Sequence, residues 1–175
     1  MVWGCYCCFS HRAKYYSTLK EQLESRRAYQ GGWYENVQRS FISTRDTFFI
    51  LMAKRARKDQ DTKKLEKLFL ERLRLSLTKF GHVPWGFETH WFNNDTPVYY
   101  KDGVPVVDAN AQFIIMAYQY CQADSIINEA LWLASQRAWE WLTSYIDNSV
   151  FIEPVGASWA YSLEHDGHVL LTNVY

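Results

Sequence analysis

The sequence predicts an all-α chain assembled from helical hairpins, with long loops gathered at one end. Three observations predict it. Five stretches, residues 11–29, 40–57, 62–79, 108–122 and 126–146, have helix-forming composition. In two of them apolar residues recur at spacings of three and four, which places them on one helical face. Runs of alternating β-branched and aromatic residues, the mark of a strand, are sparse.

The stretch 40–57 opens on mixed polar and aromatic residues (Phe41, Thr44, Arg45, Asp46, Phe48), turns apolar, and ends in Lys54, Arg55, Arg57 and Lys58. Cations at that end complement the helix dipole, so they need no nucleic-acid partner. The stretch 62–79 carries the stripe Leu65, Leu68, Phe69, Leu73, Leu77 and Phe80, closed by Gly81, a residue able to take the left-handed conformation that ends helices. A loop at 81–107 follows, punctuated by Gly, Pro, Asn and Asp and crowded with Trp85, Phe87, Trp91, Tyr99 and Tyr100. Asp108 then opens an apolar helix, with an amide pair, Asn110 and Gln112, close behind. One Asp at a helix start is ordinarily a cap, accepting bonds from the free amides of the first turn. The stretch 126–146 holds the longest stripe, Ile127, Ala130, Leu131, Ala134, Ala138, Trp141, Leu142 and Tyr145, and a second long loop spans 147–166. Repeated helix pairs of this kind can close into a barrel with an inner and an outer ring, which would put the starts of the helices near 46 and 108 around one funnel. A superhelical stack of helix pairs satisfies the same pattern.

Composition bounds the function. A chain of 175 residues, 48% apolar, buries one sizeable core. Its formal charge of zero gives no electrostatic case for nucleic acid or an anionic membrane. The aromatic share of 17%, with eight Trp and twelve Tyr, supplies rings with flat apolar faces and polar edges, which carbohydrate sites favour. Three of the four cysteines crowd into WGCYCCF, a spacing that is not a zinc pair, and the histidines show no ligand spacing, so neither metal nor cofactor is expected. The start MVWGCYCCFSHR lacks the basic and apolar segments of a secretory signal, and no apolar run reaches the length of a membrane span. The expectation is a reduced, cytoplasmic protein.

Three segments, FISTRDTFFILMAKRARKDQDTKKLEKLFL, GHVPWGFE and TPVYYKDGVPVVDANAQFIIMAYQY, together resemble the catalytic domain of the six-hairpin glycosidases. The nearest type is the amylo-alpha-1,6-glucosidase, or glycogen-debranching, enzyme, with neutral invertases and glucoamylases more distant. The shared features are an Arg-Asp-Thr triplet, a Gly-x-Val-Pro loop and a Val-Asp-Ala helix start, in that order. The resemblance covers residues 33–175 and implies that they form part of an (α/α)6 barrel, a partial catalytic domain behind a helical segment at 1–32. It implies that Asp108 is the proton donor, with Asp46 as the fallback donor, and that Arg45 and Asp46 grip sugar hydroxyls. Cleavage of a glycosidic bond by inversion needs one protonated carboxyl and one carboxylate on the opposite face. A carboxyl set among Val107, Phe113 and nearby aromatics loses solvation, which favours its protonated form. Trp85, Tyr99 and Tyr100 would stack on pyranose rings, while Glu88, Asn110 and, from the later loop, Glu153 and Trp159 would complete the substrate site. After Ser-Trp-Ala the family pattern calls for Asp, where this chain has Tyr161.

A ring of about twelve helices takes well over 300 residues at ordinary helix and loop lengths. The resemblance therefore implies the N-terminal half of a glycoside hydrolase of alpha-glucans, lacking its general base and exposing apolar flanks prone to association. The alternative is a non-catalytic carbohydrate-binding or protein-interaction module.

Overall fold

The computed structural model describes residues 21–28, 31–35, 40–89, 95–101, 103–124, 128–147 and 150–151. Strand β1, Phe41–Ser43, runs directly into helix α1, Thr44–Ala56. The switch occurs at Ser43, whose backbone is still extended and whose Oγ accepts from the Asp46 amide at 3.2 Å. That bond satisfies one of the amides a helix start leaves open. Lys58, with a left-handed φ of 56°, turns the chain toward helix α2, Thr62–Leu75.

Strands β2, Gly86–Glu88, and β3, Thr96–Val98, join β1 in an antiparallel sheet of order β1-β2-β3. In its register Ile42 pairs with Phe87 and Phe87 with Pro97. Pro97 is tolerated because β3 is an edge strand. Strands β4, Tyr100–Lys101, and β5, Val104–Pro105, form a hairpin whose connection holds Gly103 at a φ of 82°. Helix α3, Asp108–Asp124, and helix α4, Glu129–Thr143, come next. A last antiparallel pair, β6 (Ile146–Asp147) and β7 (Val150–Phe151), closes the described chain.

The all-α expectation, and with it the partial (α/α)6 barrel, is therefore corrected: the architecture is mixed, with short antiparallel sheets set among the helices. The strands arise where the predicted helix 40–57 should begin, at Phe41–Ser43, inside the predicted loop 81–107, and at Ile146–Asp147 and Val150–Phe151, around the start of the predicted loop 147–166. Two or three residues are too few to show the period-two alternation that marks a strand, and β1 is paired with β2 about 45 positions further along the chain.

Helix α3 packs against α1, α2 and α4. The α4 face that meets it is Leu131, Ala134, Ala138 and Leu142, all buried. Ala134 and Ala138 are small enough for a close approach, and Gly81 exploits it. A methyl group on Gly81, whose φ is 95°, would stand 1.9 Å from the Arg137 carbonyl oxygen. The main core gathers Trp33, Ile42, Leu51, Phe69, Phe87 and Phe113. The α2 stripe is partly borne out in burial, with Leu65, Phe69 and Leu73 inside, while Leu68 and Phe80 are exposed. Two charged residues of α2 take inner positions instead. Glu66 accepts a two-pronged bond from Arg55 at 2.9 and 2.6 Å, and the Arg72 guanidinium lies 3.9 Å over the Phe87 ring and pairs with Asp95.

Candidate functional site

The starts of α1 and α3 are fastened to one short segment, residues 81–85. Thr44, fully buried, donates its amide to the Trp85 carbonyl at 2.8 Å and its hydroxyl to the Pro84 carbonyl at 2.7 Å. From the other side, the Asn110 Oδ1 accepts from the Val83 amide at 3.0 Å. The Asn110 Nδ2 donates to the carbonyls of Gly81 (2.8 Å) and Ala138 (3.0 Å). One carboxamide thus joins α3, α4 and the segment between them. His82 is held in the same segment, stacked on Trp141 with ring centroids 4.0 Å apart. Its Nε2–H donates to the Val106 carbonyl at 3.2 Å. Burial pushes the imidazole down to about 4, against the opposing effect of that bond, so the ring is neutral near pH 7.

The predicted site residues divide into three groups around this frame. Arg45 and Asp46 occupy the first turn of α1 at the surface, paired at 3.3 Å with side chains 30% and 42% exposed. Glu35, which sequence reasoning missed, joins them. Burial raises its carboxyl above the usual range, the Asp46 charge adds to the rise, and Arg45 and Lys101 oppose it. Nothing local in the sequence marks Glu35. It reaches the group because its amide donates to the Phe41 carbonyl at 2.9 Å, alongside the strand leading into α1.

The second group comes from residues 85–100, of which Tyr99 and Tyr100 lie against His82. Tyr99 donates its hydroxyl to the Ser76 carbonyl, and burial raises its phenol. Tyr100, 56% exposed, meets the imidazole edge to face at 5.5 Å. Trp85 leans on Phe41 at 4.6 Å, and its indole N–H is buried without a hydrogen-bond partner. Glu88 stands exposed at the far end of β2.

The third group is the start of α3. Asp108 is 3% exposed, between the buried Val107 and Ala109. Asn110, expected to meet substrate, is fully buried and committed to the three backbone bonds above. Gln112 is also fully buried, and neither its Nε2 nor its Oε1 has a hydrogen-bond partner. Leaving such a group unpaired costs on the order of 1–3 kcal/mol. Glu153 and Trp159 lie outside the described residues, as does Tyr161.

A groove of about 1090 Å³ lies elsewhere, between residues 27–28 and α2. Leu65, Leu68, Leu75 and Phe87 supply its apolar lining, and none of the sequence-predicted site residues lines it. Its arginines are engaged, Arg72 with Asp95 and Arg27 with Asp61. Among the described residues there is no cluster of three or more potential metal ligands, and no helix is long and apolar enough to cross a membrane. No known family model matches the chain, and no curated protein is significantly similar to it.

Proposed function

We propose that the chain acts on saccharides as a glycoside hydrolase, or part of one, of the amylo-alpha-1,6-glucosidase type that its sequence resembles. Asp108 delivers the proton to the departing glycosidic oxygen, and Arg45 and Asp46 hold sugar hydroxyls. The observation that supports this most is the fastening of both motif-bearing helix starts, through Thr44 and Asn110, onto the single segment 81–85. A carboxyl buried among Val106, Val107 and Ala109 is shielded from water, as a group that must carry a proton to a leaving oxygen requires. Trp85, Tyr99 and Tyr100 supply ring faces near the same segment for pyranose stacking.

A second reading, a non-catalytic binding or interaction module, is favoured by the outer face of α4, where Trp132, Leu133 and Trp139 are each at least half exposed. Exposed aromatic surface of that kind marks association sites. Hydrolysis of maltose, isomaltose and sucrose by the chain extended through the half that the resemblance implies separates the two readings. The glycosidase reading expects released monosaccharide and a loss of about 100-fold or more in Asp108→Asn, the contribution typical of a general acid. Undiminished turnover in that variant removes the donor assignment, and absence of turnover with retained saccharide binding selects the module.

A further inference from the structure

The groove beside α2 runs the whole length of that helix. Its lining takes a residue from every turn, from Asp61 at the N-cap through Leu65, Leu68 and Arg72 to Ser76 at the C-cap. At the rise of an α-helix this span is about 22 Å. The volume of about 1090 Å³ exceeds the roughly 300–1,000 Å³ of small-molecule sites. Length and volume together suit a stretch of chain better than a compact ligand.

The floor is apolar and closed to water, with Leu65 at 6% and Phe87 at 1% exposure, whereas Leu68 and Leu75 on the α2 rim are 39% and 70% exposed. Those two leucines are seven positions apart, so they share one face of the helix. Exposed apolar side chains bordering a recess with a polar rim mark an association surface.

Charge selects the partner. Every acid of the lining is engaged: Asp61 with Arg27 at 3.1 Å, Glu71 with Arg74 at 2.6 Å, and Asp95 with Arg72. Lys64, on the rim one turn before Leu68, is exposed and makes no ion pair among the described residues. Lys67, exposed one turn before Glu71, adds a second cation at the outer edge. The charge left to an incoming partner is therefore positive, which draws an acidic flank and repels a basic one.

We propose that this groove receives an amphipathic helix of a partner protein, its leucine-type face seated on Leu65, Leu68, Leu75 and Phe87 and its acidic flank toward Lys64 and Lys67. Burial of the apolar face supplies the affinity, and the exposed ion pairs fix the sign of the flank. None of the residues assigned to the saccharide site lines the groove, so either reading stands or falls without the other.

The test uses the full 175-residue chain and a fluorophore-labelled, designed helical peptide about four turns long, with Leu at three- and four-residue spacing and Glu on one flank. A sister peptide carries Lys in place of Glu. Anisotropy titration should show saturable binding of the Glu peptide and about tenfold weaker binding of the Lys peptide. Leu75→Glu, at an exposed position, should keep the wild-type melting temperature and weaken the Glu peptide about tenfold or more. Lys64→Glu combined with Lys67→Glu should reverse the preference between the two peptides, a result that misfolding cannot produce. No saturable binding, equal binding of the two peptides, or wild-type affinity in Leu75→Glu overturns the proposal. So does either of two results in the absence of peptide binding: sedimentation with phosphatidylserine vesicles, or self-association, in each case lost in Leu75→Glu. The first gives the surface to an anionic membrane and the second to another copy of the chain.

Discussion

The two helix starts fastened to residues 81–85 are built in opposite ways. At α1 the cap is a serine, and the acidic residue of the first turn, Asp46, remains at the surface beside Arg45 and Glu35. At α3 the acidic residue itself is sealed, with Asn110 and Gln112 fully buried behind it. A charged turn facing water costs little and holds little, since exposed pairs contribute about 0–1 kcal/mol. A polar turn facing inward is held by every bond it makes and penalised for every bond it lacks. The contrast assigns rigidity to Asn110, an open charged lip to the α1 turn, and an unspent group to Gln112.

The sharpest way to break this contrast is Asn110→Ala. It strands the Val83 amide and the Gly81 and Ala138 carbonyls in a buried place, so urea unfolding should show a loss of about 3–5 kcal/mol. A loss below about 1 kcal/mol would mean that the segment is not held as described.

The next effect is a pH dependence centred on His82. Its folded value of about 4 lies below the ordinary 6.5, so as pH falls the unfolded chain binds the proton first. Stability from this group is complete above pH 6.5, declines between 6.5 and about 4, and is level below that, an effect on the order of 3 kcal/mol. His82→Phe should remove this part of the slope between those values in paired urea titrations at pH 7 and pH 4.5. An unchanged slope would place the acid sensitivity elsewhere.

The smallest effect belongs to the open start. Ser43→Ala removes the acceptor for the Asp46 amide and should cost about 1 kcal/mol. Because that amide sits near solvent, water takes over part of the bond. A loss as large as that of Asn110→Ala would erase the distinction between the two starts.

The sequence made the helices legible and the strands illegible, for one physical reason. Leu131, Ala134, Ala138 and Leu142 repeat often enough to declare a helical face, and Asp108 marks the start of α3 at the residue where it begins. Phe41–Ser43 and Gly86–Glu88 are too short to declare a period, and each is extended because the other is there. One hairpin did have a local signal, the Asp102-Gly103 pair between Tyr100–Lys101 and Val104–Pro105, of the kind that marks tight β-turns. The chemistry of the α3 start was half legible. The buried surroundings of Asp108 followed from Val107 and Phe113, but two amides two positions apart look equivalent in a sequence. Only the carbonyls of Gly81 and Ala138, about 28 positions from Asn110, reveal which amide is structural.

The most direct test of the account compares the two helix starts in one experiment. In ¹⁵N–¹H spectra of the chain, exchange with solvent is followed for the Asn110 side-chain NH2 pair, assigned by its loss in Asn110→Ala, and for the backbone amide of Asp46. The account predicts slow exchange at Asn110, whose carboxamide is buried on three backbone bonds, and faster exchange at the open α1 start. Exchange of the Asn110 pair as fast as that of Asp46 would contradict it.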